Sequence, residues 1–150
     1  MGLPSEIHSP SGGVVILHTP LHGSYARIIR QAIVDTCIHA GMSEFKTAQM
    51  EMAADEASSI IYAARAASSQ GAGGQGNLTL RLYQEDKQVV VEICHGGDPI
   101  EVGAPADPKT WYGEEDPAAA GLFVIQQFVD ELSYRTGTPL GHCLRMIKKI

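Results

Sequence analysis

The sequence predicts an α+β domain, a two-layer α/β sandwich in which helices cover one face of a mixed or antiparallel sheet. Apolar patterns along the chain follow the order strand, two helices, two strands, loop, helix and two strands. The chain has 150 residues, of which 44% are hydrophobic, and this suits one domain around one core. We expect a loose tail at residues 1–13 and the domain at residues 14–150.

The first strand and helix follow from a short apolar run and a helical repeat. Residues 14–17 are apolar and precede Pro20, which is typical of an edge strand. Residues 22–40 place apolar side chains at helical spacing, so they predict a helix. Gly41 then supplies the stop, because glycine favours the left-handed conformation that ends many helices.

The second helix and the next two strands are separated by a glycine-rich connector. Ser43 is a suitable N-cap for a helix that extends to about residue 69 and is rich in Ala, Met and Glu. The run at residues 70–76 contains four glycines and cannot continue that helix. Alternating leucines at residues 78–82 and a continuous apolar run at residues 89–93 predict two strands.

The remainder of the chain predicts a long loop, a helix and a hairpin. Residues 96–117 are rich in proline, glycine and acidic side chains, and loops of this length in compact domains are usually functional or disordered. An apolar helical pattern covers residues 118–129. Residues 132–135 and 143–147 alternate as strands around a turn that contains glycine and proline.

Net charge and hydropathy exclude two classes of partner. The formal net charge of −6 argues against a nucleic-acid binder, which would carry a basic patch. No apolar run approaches the length that crosses a membrane, and the first 13 residues lack a secretory signal pattern. We therefore expect no nucleic acid and no membrane among the partners.

The cysteines predict a reducing compartment. Cys37, Cys94 and Cys143 are an odd, scattered set, so we expect no disulfide framework and a cytoplasmic location. Cys94-His95 and His142-Cys143 have the right atoms for zinc. Neighbours on a strand point to opposite faces, however, so neither pair can chelate an ion, and we expect no metal site there.

Three motifs in a fixed order resemble a known family. They are Asp-Glu-Ala-Ser-Ser-Ile at residues 55–60, Ile-Cys-His-Gly-Gly at 93–97 and Gly-Leu-Phe-Val-Ile at 121–125. Their order and spacing resemble the anti-sigma factor serine kinases of the histidine kinase-like (GHKL, or Bergerat-fold) ATPase superfamily. The resemblance extends over nearly the whole chain and implies the histidine kinase-like ATPase fold and a role in partner switching that regulates transcription. It implies ATP and Mg²⁺ as cofactors only if the chain is an active kinase, and otherwise no cofactor.

Two nucleotide-contacting positions depart from the family pattern. The family has Glu-x-x-x-Asn in the second helix and Asp-x-Gly after the strand, whereas this chain has Ile60 at the Asn position and His95 at the Asp position. The resemblance assigns Mg²⁺ coordination to that Asn and adenine recognition to that Asp. Ile60 has no oxygen for Mg²⁺, and a neutral His95 offers one ring nitrogen as acceptor.

Other family positions are retained. The resemblance makes Glu56 the general base of an active kinase and places Gly97, Gly121 and Leu122 in the nucleotide cleft. As residue types, Glu56 also suits an ordinary helix surface, and the two glycines also suit turns and helix starts.

Two sets of side chains are candidates for binding a protein. Arg27 and Arg30 lie on the first predicted helix, where the resemblance places the contact with an anti-anti-sigma partner. Trp111 and Tyr112 lie in the acidic loop, where they either fold over the cleft as a plug or anchor a partner, because aromatic residues dominate binding hot spots.

Three functions remain open at this point. The first is a regulatory protein that binds a sigma factor, a STAS-domain antagonist or a second copy of itself, with nucleotide binding weak or lost. The second is an active ATP-dependent serine/threonine kinase that phosphorylates a STAS-domain partner. The third is a sensor that holds a different small ligand in the modified cleft.

Overall fold

Five antiparallel strands and three helices form the domain, in a computed structural model that describes residues 10, 12–67, 76–100 and 117–150. The elements in chain order are β1 (Val15–Pro20), a 3₁₀ turn (Gly23–Tyr25), α1 (Ala26–His39), α2 (Glu44–Ala67), β2 (Asn77–Glu85), β3 (Gln88–His95), α3 (Pro117–Phe128), β4 (Glu131–Thr138) and β5 (Gly141–Lys149). The sheet order is β1-β2-β3-β5-β4. The predicted α+β sandwich is confirmed, and the sheet is the antiparallel alternative.

The alternation of leucines in β2 sets which face of the sheet meets the helices. Leu78, Leu80 and Leu82 are fully buried in the cluster that also contains the buried side chains of α1, α2 and α3. Their partners on β3 include Ile93 and Val91 in register, so both central strands direct one apolar row toward the helical layer. The core therefore lies between that face and the three helices.

The predicted signals account for the end of α1 and the start of α2. The Oγ of Ser43 accepts the N–H of Lys46 at 3.2 Å, as an N-cap does. Gly41 has a φ of +86° just after α1. The predicted helix start at residue 22 is wrong, because residues 23–25 form a 3₁₀ turn. His22 caps that turn, with Nδ1 accepting the N–H of Ser24.

The opposite face of the sheet carries a polar row that the described helices do not cover. Arg81 of β2 and Glu92 of β3 are paired in the strand register and form a buried ion pair of 2.8 Å. The guanidinium of Arg81 also lies 5.6 Å from the ring centre of Tyr83. The next row on this face contains Cys94 and Cys143.

Those two cysteines form a disulfide, so the expectation that the cysteines form no disulfide framework is wrong. Cys94 of β3 lies directly opposite Cys143 of β5, with the Cα atoms 4.0 Å apart. The physical reason is the strand register, which joins positions far apart in the sequence. Cys37 remains free and buried in α1, where burial raises its pKa to about 11. No helix among the described residues has the length and apolar composition to cross a membrane.

Candidate functional site

The contact between α2 and α3 is the first part of the candidate site. Ile60 and Glu56 lie one turn apart on α2, and both face Gly121 of α3. A Cβ added to Gly121 would lie 2.8 Å from Cδ1 of Ile60 and 3.3 Å from Oε2 of Glu56. The Ile60 side chain is buried and belongs to the core. The two helices therefore approach as closely as a glycine permits, and the sec-butyl side chain of Ile60 fills the space between them.

His95 at the end of β3 is held by a directed hydrogen-bond network. Its Nδ1 lies 2.9 Å from the carbonyl oxygen of Gly96, which can only accept, so Nδ1 carries the proton. In the neutral ring Nε2 then accepts, and it lies 2.9 Å from the hydroxyl of Tyr134, which donates. That hydroxyl accepts the backbone N–H of Ile100 at 3.0 Å. Both ring nitrogens of His95 are thus occupied by the protein itself.

Burial lowers the pKa of His95, because a desolvated ring resists protonation. The carbonyl of Gly96 opposes this by accepting a hydrogen bond, whereas nearby His142 and Arg65 add to the lowering. Burial also raises the pKa of Tyr134. The pair is therefore a neutral donor and a neutral acceptor, and neither group supplies the charge that a carboxylate would.

A second histidine fixes the same turn from β5. Nδ1 of His142 accepts the N–H of Gly137 at 3.3 Å, so Nε2 donates to the carbonyl oxygen of Gly97 at 2.9 Å. The ring centres of His95 and His142 lie 5.4 Å apart. The two histidines together hold consecutive carbonyls, those of Gly96 and Gly97, in what we call the histidine clamp.

Gly97 follows the strand in a conformation that favours glycine. Its φ is +77°, and an added Cβ would lie 2.9 Å from Nη1 of Arg65 on α2. Arg65 therefore reaches across from the helix to the turn. Any larger residue at position 97 would meet both a strained backbone and this guanidinium.

A cavity of about 160 Å³ lies between the last turns of α2 and the histidine clamp. Its lining includes Ile61, Arg65 and His95 among the described residues. Pockets that hold drug-sized ligands are typically about 300–1,000 Å³. The cavity that the described residues line is smaller than that range.

The remaining predicted site residues fall into three groups. Leu122 is buried in the core, so it supports the position of α3. Arg30 makes ion pairs of 3.7 and 3.5 Å with Glu51 and Asp55 of α2, whereas exposed Arg27 forms no hydrogen bond or ion pair with the described residues. The predictions for Trp111 and Tyr112 concern residues outside those that the structure describes.

Comparison with known families decides the assignment. The sequence model of the histidine kinase-like ATPase domain matches residues 20–148, which is most of the chain. The chain belongs to the histidine kinase-like ATPase domain family. A search of curated proteins found no match.

Membership of this ATPase family raises the question of whether the residues present fit Mg²⁺ and ATP. Mg²⁺ requires oxygen ligands in octahedral geometry, and Ile60 supplies none at the position where the resemblance places one. In addition, Ile60 is packed against Gly121. His95 directs both nitrogens at protein groups. These residues do not fit a Mg²⁺-nucleotide, and within the described residues no cluster of His, Cys, Asp and Glu suits a metal ion.

Sequence reasoning missed three residues that complete the site. Tyr134 and His142 lie on β4 and β5, and Arg65 lies on α2 beyond the first motif. His142 gave no local signal for this role, because it lies opposite His95 only through the pairing of β5 with β3, two strands that are distant in the sequence. Tyr134 and Arg65 gave no local signal, since their roles depend on how the helices and β4 pack.

Proposed function

We propose that this chain is a regulatory protein of the anti-sigma factor type that acts mainly by binding a protein partner, with nucleotide binding weak or lost. The observation that carries the proposal is the packing of Ile60 against Gly121 between α2 and α3. An aliphatic side chain lies where an active relative needs an oxygen ligand. Filling that space stabilises the two-helix contact and at the same time opposes entry of a hydrated ion.

The expected loss of nucleotide affinity follows from two missing polar contacts. A hydrogen bond to a charged group contributes about 1.5–3 kcal/mol. One such contact is missing at Ile60 and one at His95, whose acceptor nitrogen is engaged by Tyr134. Two losses of this size correspond to roughly 10²-fold to 10⁴-fold weaker binding. A dissociation constant for Mg²⁺-ATP above roughly 100 μM is the consequence.

The partner is a sigma factor, a STAS-domain antagonist or a second copy of the chain. Arg27 supports a contact on α1, because it is exposed and makes no ion pair with the described residues. Arg30 is a weaker candidate, since Glu51 and Asp55 already hold its guanidinium. Charge reversal at Arg27 should weaken partner binding, whereas Lys149→Glu, the same change at an exposed position on β5, should not.

One observation favours an active kinase as the second candidate. The carboxylate of Glu56 faces the α2–α3 gap beside Gly121, where a general base would face a substrate hydroxyl. A base contributes little without phosphates in line, so this candidate ranks second. The cavity of about 160 Å³ supports the third candidate function, a sensor of a small ligand.

Calorimetric titration with Mg²⁺-ATP tests the proposal. The wild-type protein should show a dissociation constant above roughly 100 μM. The double variant Ile60→Asn/His95→Asp should bind more tightly, because it restores an amide oxygen and a carboxylate. Ser59→Asn serves as the matched control, since it adds the same amide at the exposed neighbouring position. Micromolar binding by the wild-type protein would overturn the proposal.

A phosphorylation assay separates the first candidate from the second. Wild-type protein, ATP and a STAS-domain substrate should give no phosphoserine above the level of the Glu56→Gln variant. Transfer that depends on Glu56 would establish the kinase instead.

A further inference from the structure

The disulfide lies directly behind the histidine clamp. Cys94 and Cys143 are register partners, and the next register pair toward the cleft is His95 with His142. Successive side chains on a strand point to opposite faces, so the two sulfurs lie on the back of the sheet and the two rings on the cleft side. On each of β3 and β5, two adjacent positions therefore carry one cysteine of the disulfide and one histidine of the clamp.

The sheet itself holds the two cysteines together. Eight register pairs join β3 and β5, and they place the Cα atoms of Cys94 and Cys143 4.0 Å apart. Because hydrogen-bonded pairs continue along the strands, the sulfurs remain neighbours after the bond opens. The bond can thus break and reform without unfolding of the domain.

The two cysteine residues are both buried, but Cys143 retains 6% of its surface, whereas Cys94 retains none. The Oγ1 of Thr138 lies 3.4 Å from the sulfur of Cys143, so a polar group accompanies the accessible member. A small thiol reaches Cys143 first, and Cys94 is then the leaving group.

We propose that Cys94 and Cys143 form a thiol–disulfide exchange site for small thiols of the glutathione class, whose state sets the position of the turn at Gly96 and Gly97. The proposal does not depend on the proposed function, since it requires neither nucleotide nor a protein partner. It assigns to the back of the sheet a modification site that acts on the cleft through the two histidines.

The exchange balances in two steps. A glutathione thiolate attacks the sulfur of Cys143, the Cys94–Cys143 bond breaks, and Cys94 leaves as a thiolate that takes up a proton. A second glutathione thiolate attacks the glutathione sulfur of the mixed disulfide and releases the thiolate of Cys143. Two electrons pass from two glutathione molecules to the protein disulfide, and glutathione disulfide leaves.

The clamp transmits the change to the cleft. His95 directly follows Cys94, and His142 directly precedes Cys143. Release of the cross-link therefore removes a covalent constraint from the positions next to both rings, while the strand pairing remains. Each ring holds a carbonyl of the turn, at Gly96 and at Gly97. Ile100 follows this turn in the chain, and its backbone N–H donates to the hydroxyl of Tyr134.

A redox titration followed by alkylation and NMR tests the proposal. The folded protein is equilibrated in glutathione buffers of graded ratio, quenched by alkylation and digested for mass spectrometry. We expect Cys94 and Cys143 to change together with a single midpoint, while Cys37 stays a thiol throughout. The backbone amide signals of Gly96 and Gly97 should shift over the same range of ratios. Two free thiols at every ratio, or exchange without a shift of those signals, would overturn the proposal.

Single variants test the order of attack. In Cys94→Ser the accessible Cys143 should take up one glutathione from glutathione disulfide, whereas in Cys143→Ser the buried Cys94 should take up at least tenfold less. Cys37→Ser is the matched control and should retain the wild-type titration. Equal labelling of the two single variants would contradict the assigned order, and the titration of the wild-type protein remains decisive if either variant does not fold.

Discussion

The hydroxyl of Tyr134 donates to Nε2 of His95 at 2.9 Å and accepts the backbone N–H of Ile100 at 3.0 Å. Tyr134 thereby joins β4 to the end of β3 and to the segment that follows the clamp. The same bond occupies the acceptor that an adenine amino group would need. One side chain thus stabilises the turn and, in the proposed function, contributes to the weak binding of nucleotide.

Replacement of Tyr134 by Phe should destabilise the protein by about 1–3 kcal/mol, because it leaves a buried ring nitrogen and a backbone N–H without partners. Chemical denaturation measures this free energy of unfolding. Tyr62→Phe is the matched control, since the hydroxyl oxygen of Tyr62 is buried and has no hydrogen-bond partner among the described residues. That variant should be neutral or slightly more stable, and an equal cost for both variants would contradict the network.

The stability of the protein should fall in mild acid in a way that depends on His95. The pKa of His95 is lowered in the folded state by burial, with contributions from His142 and Arg65, from an ordinary value of 6.5. The unfolded chain therefore binds this proton at a higher pH than the folded protein. The contribution of neutral His95 to the free energy of unfolding is fully present above about pH 6.5 and is lost as the pH falls below that value.

Unfolding free energies at pH 7.5 and 5.5 measure this effect. His95→Gln should reduce the difference between the two values, because glutamine does not titrate. His39→Gln, at an exposed position on α1, should leave the difference as in the wild-type protein. Identical pH dependence in all three proteins would show that His95 does not couple folding to protons.

Most of the fold could be predicted because its signals are local. The leucine alternation of β2 identifies a strand whose inner face is the core, and Ser43 and Gly41 mark helix ends through their own backbone chemistry. Such signals depend on neighbours in the sequence. The start of α1 was misplaced because the local pattern does not distinguish a 3₁₀ turn at residues 23–25 from the first turn of an α-helix.

The site was only partly predictable because its contacts depend on which elements pair. The motifs identified Glu56, Ile60 and His95, but the sequence could not show that Ile60 packs on Gly121. The disulfide was missed for the same reason. Cys94 and Cys143 are 49 positions apart, and only the register of β3 with β5 makes them neighbours.

Reduction of the disulfide should lower the free energy of unfolding by as much as about 4 kcal/mol. The cross-link closes a loop of 49 residues, and loop-closure entropy in the unfolded chain assigns a stabilisation of this order. Denaturation with and without dithiothreitol measures the difference in the wild-type protein. The double variant Cys94→Ser/Cys143→Ser is the control and should be insensitive to the reductant. A wild-type protein that is equally insensitive would contradict the cross-link.

The contact of Ile60 with Gly121 predicts that the effect of Gly121→Ala on the free energy of unfolding depends on the residue at position 60. Gly121→Ala places a Cβ 2.8 Å from Cδ1 of Ile60, and overpacking of this kind costs about 1–3 kcal/mol. Alanine gains about 1 kcal/mol over glycine within a helix, so the net effect in the wild-type protein is destabilising or, at the low end of that range, close to neutral.

In the Ile60→Ala background the same Gly121→Ala change should be stabilising by up to about 1 kcal/mol, because the added methyl group enters space that the smaller side chain vacates. Denaturation of the four proteins of this double-mutant cycle measures the coupling. An equal effect of Gly121→Ala in both backgrounds would mean that Ile60 does not fill the α2–α3 gap. Ile60 would then not exclude a hydrated magnesium ion from that gap.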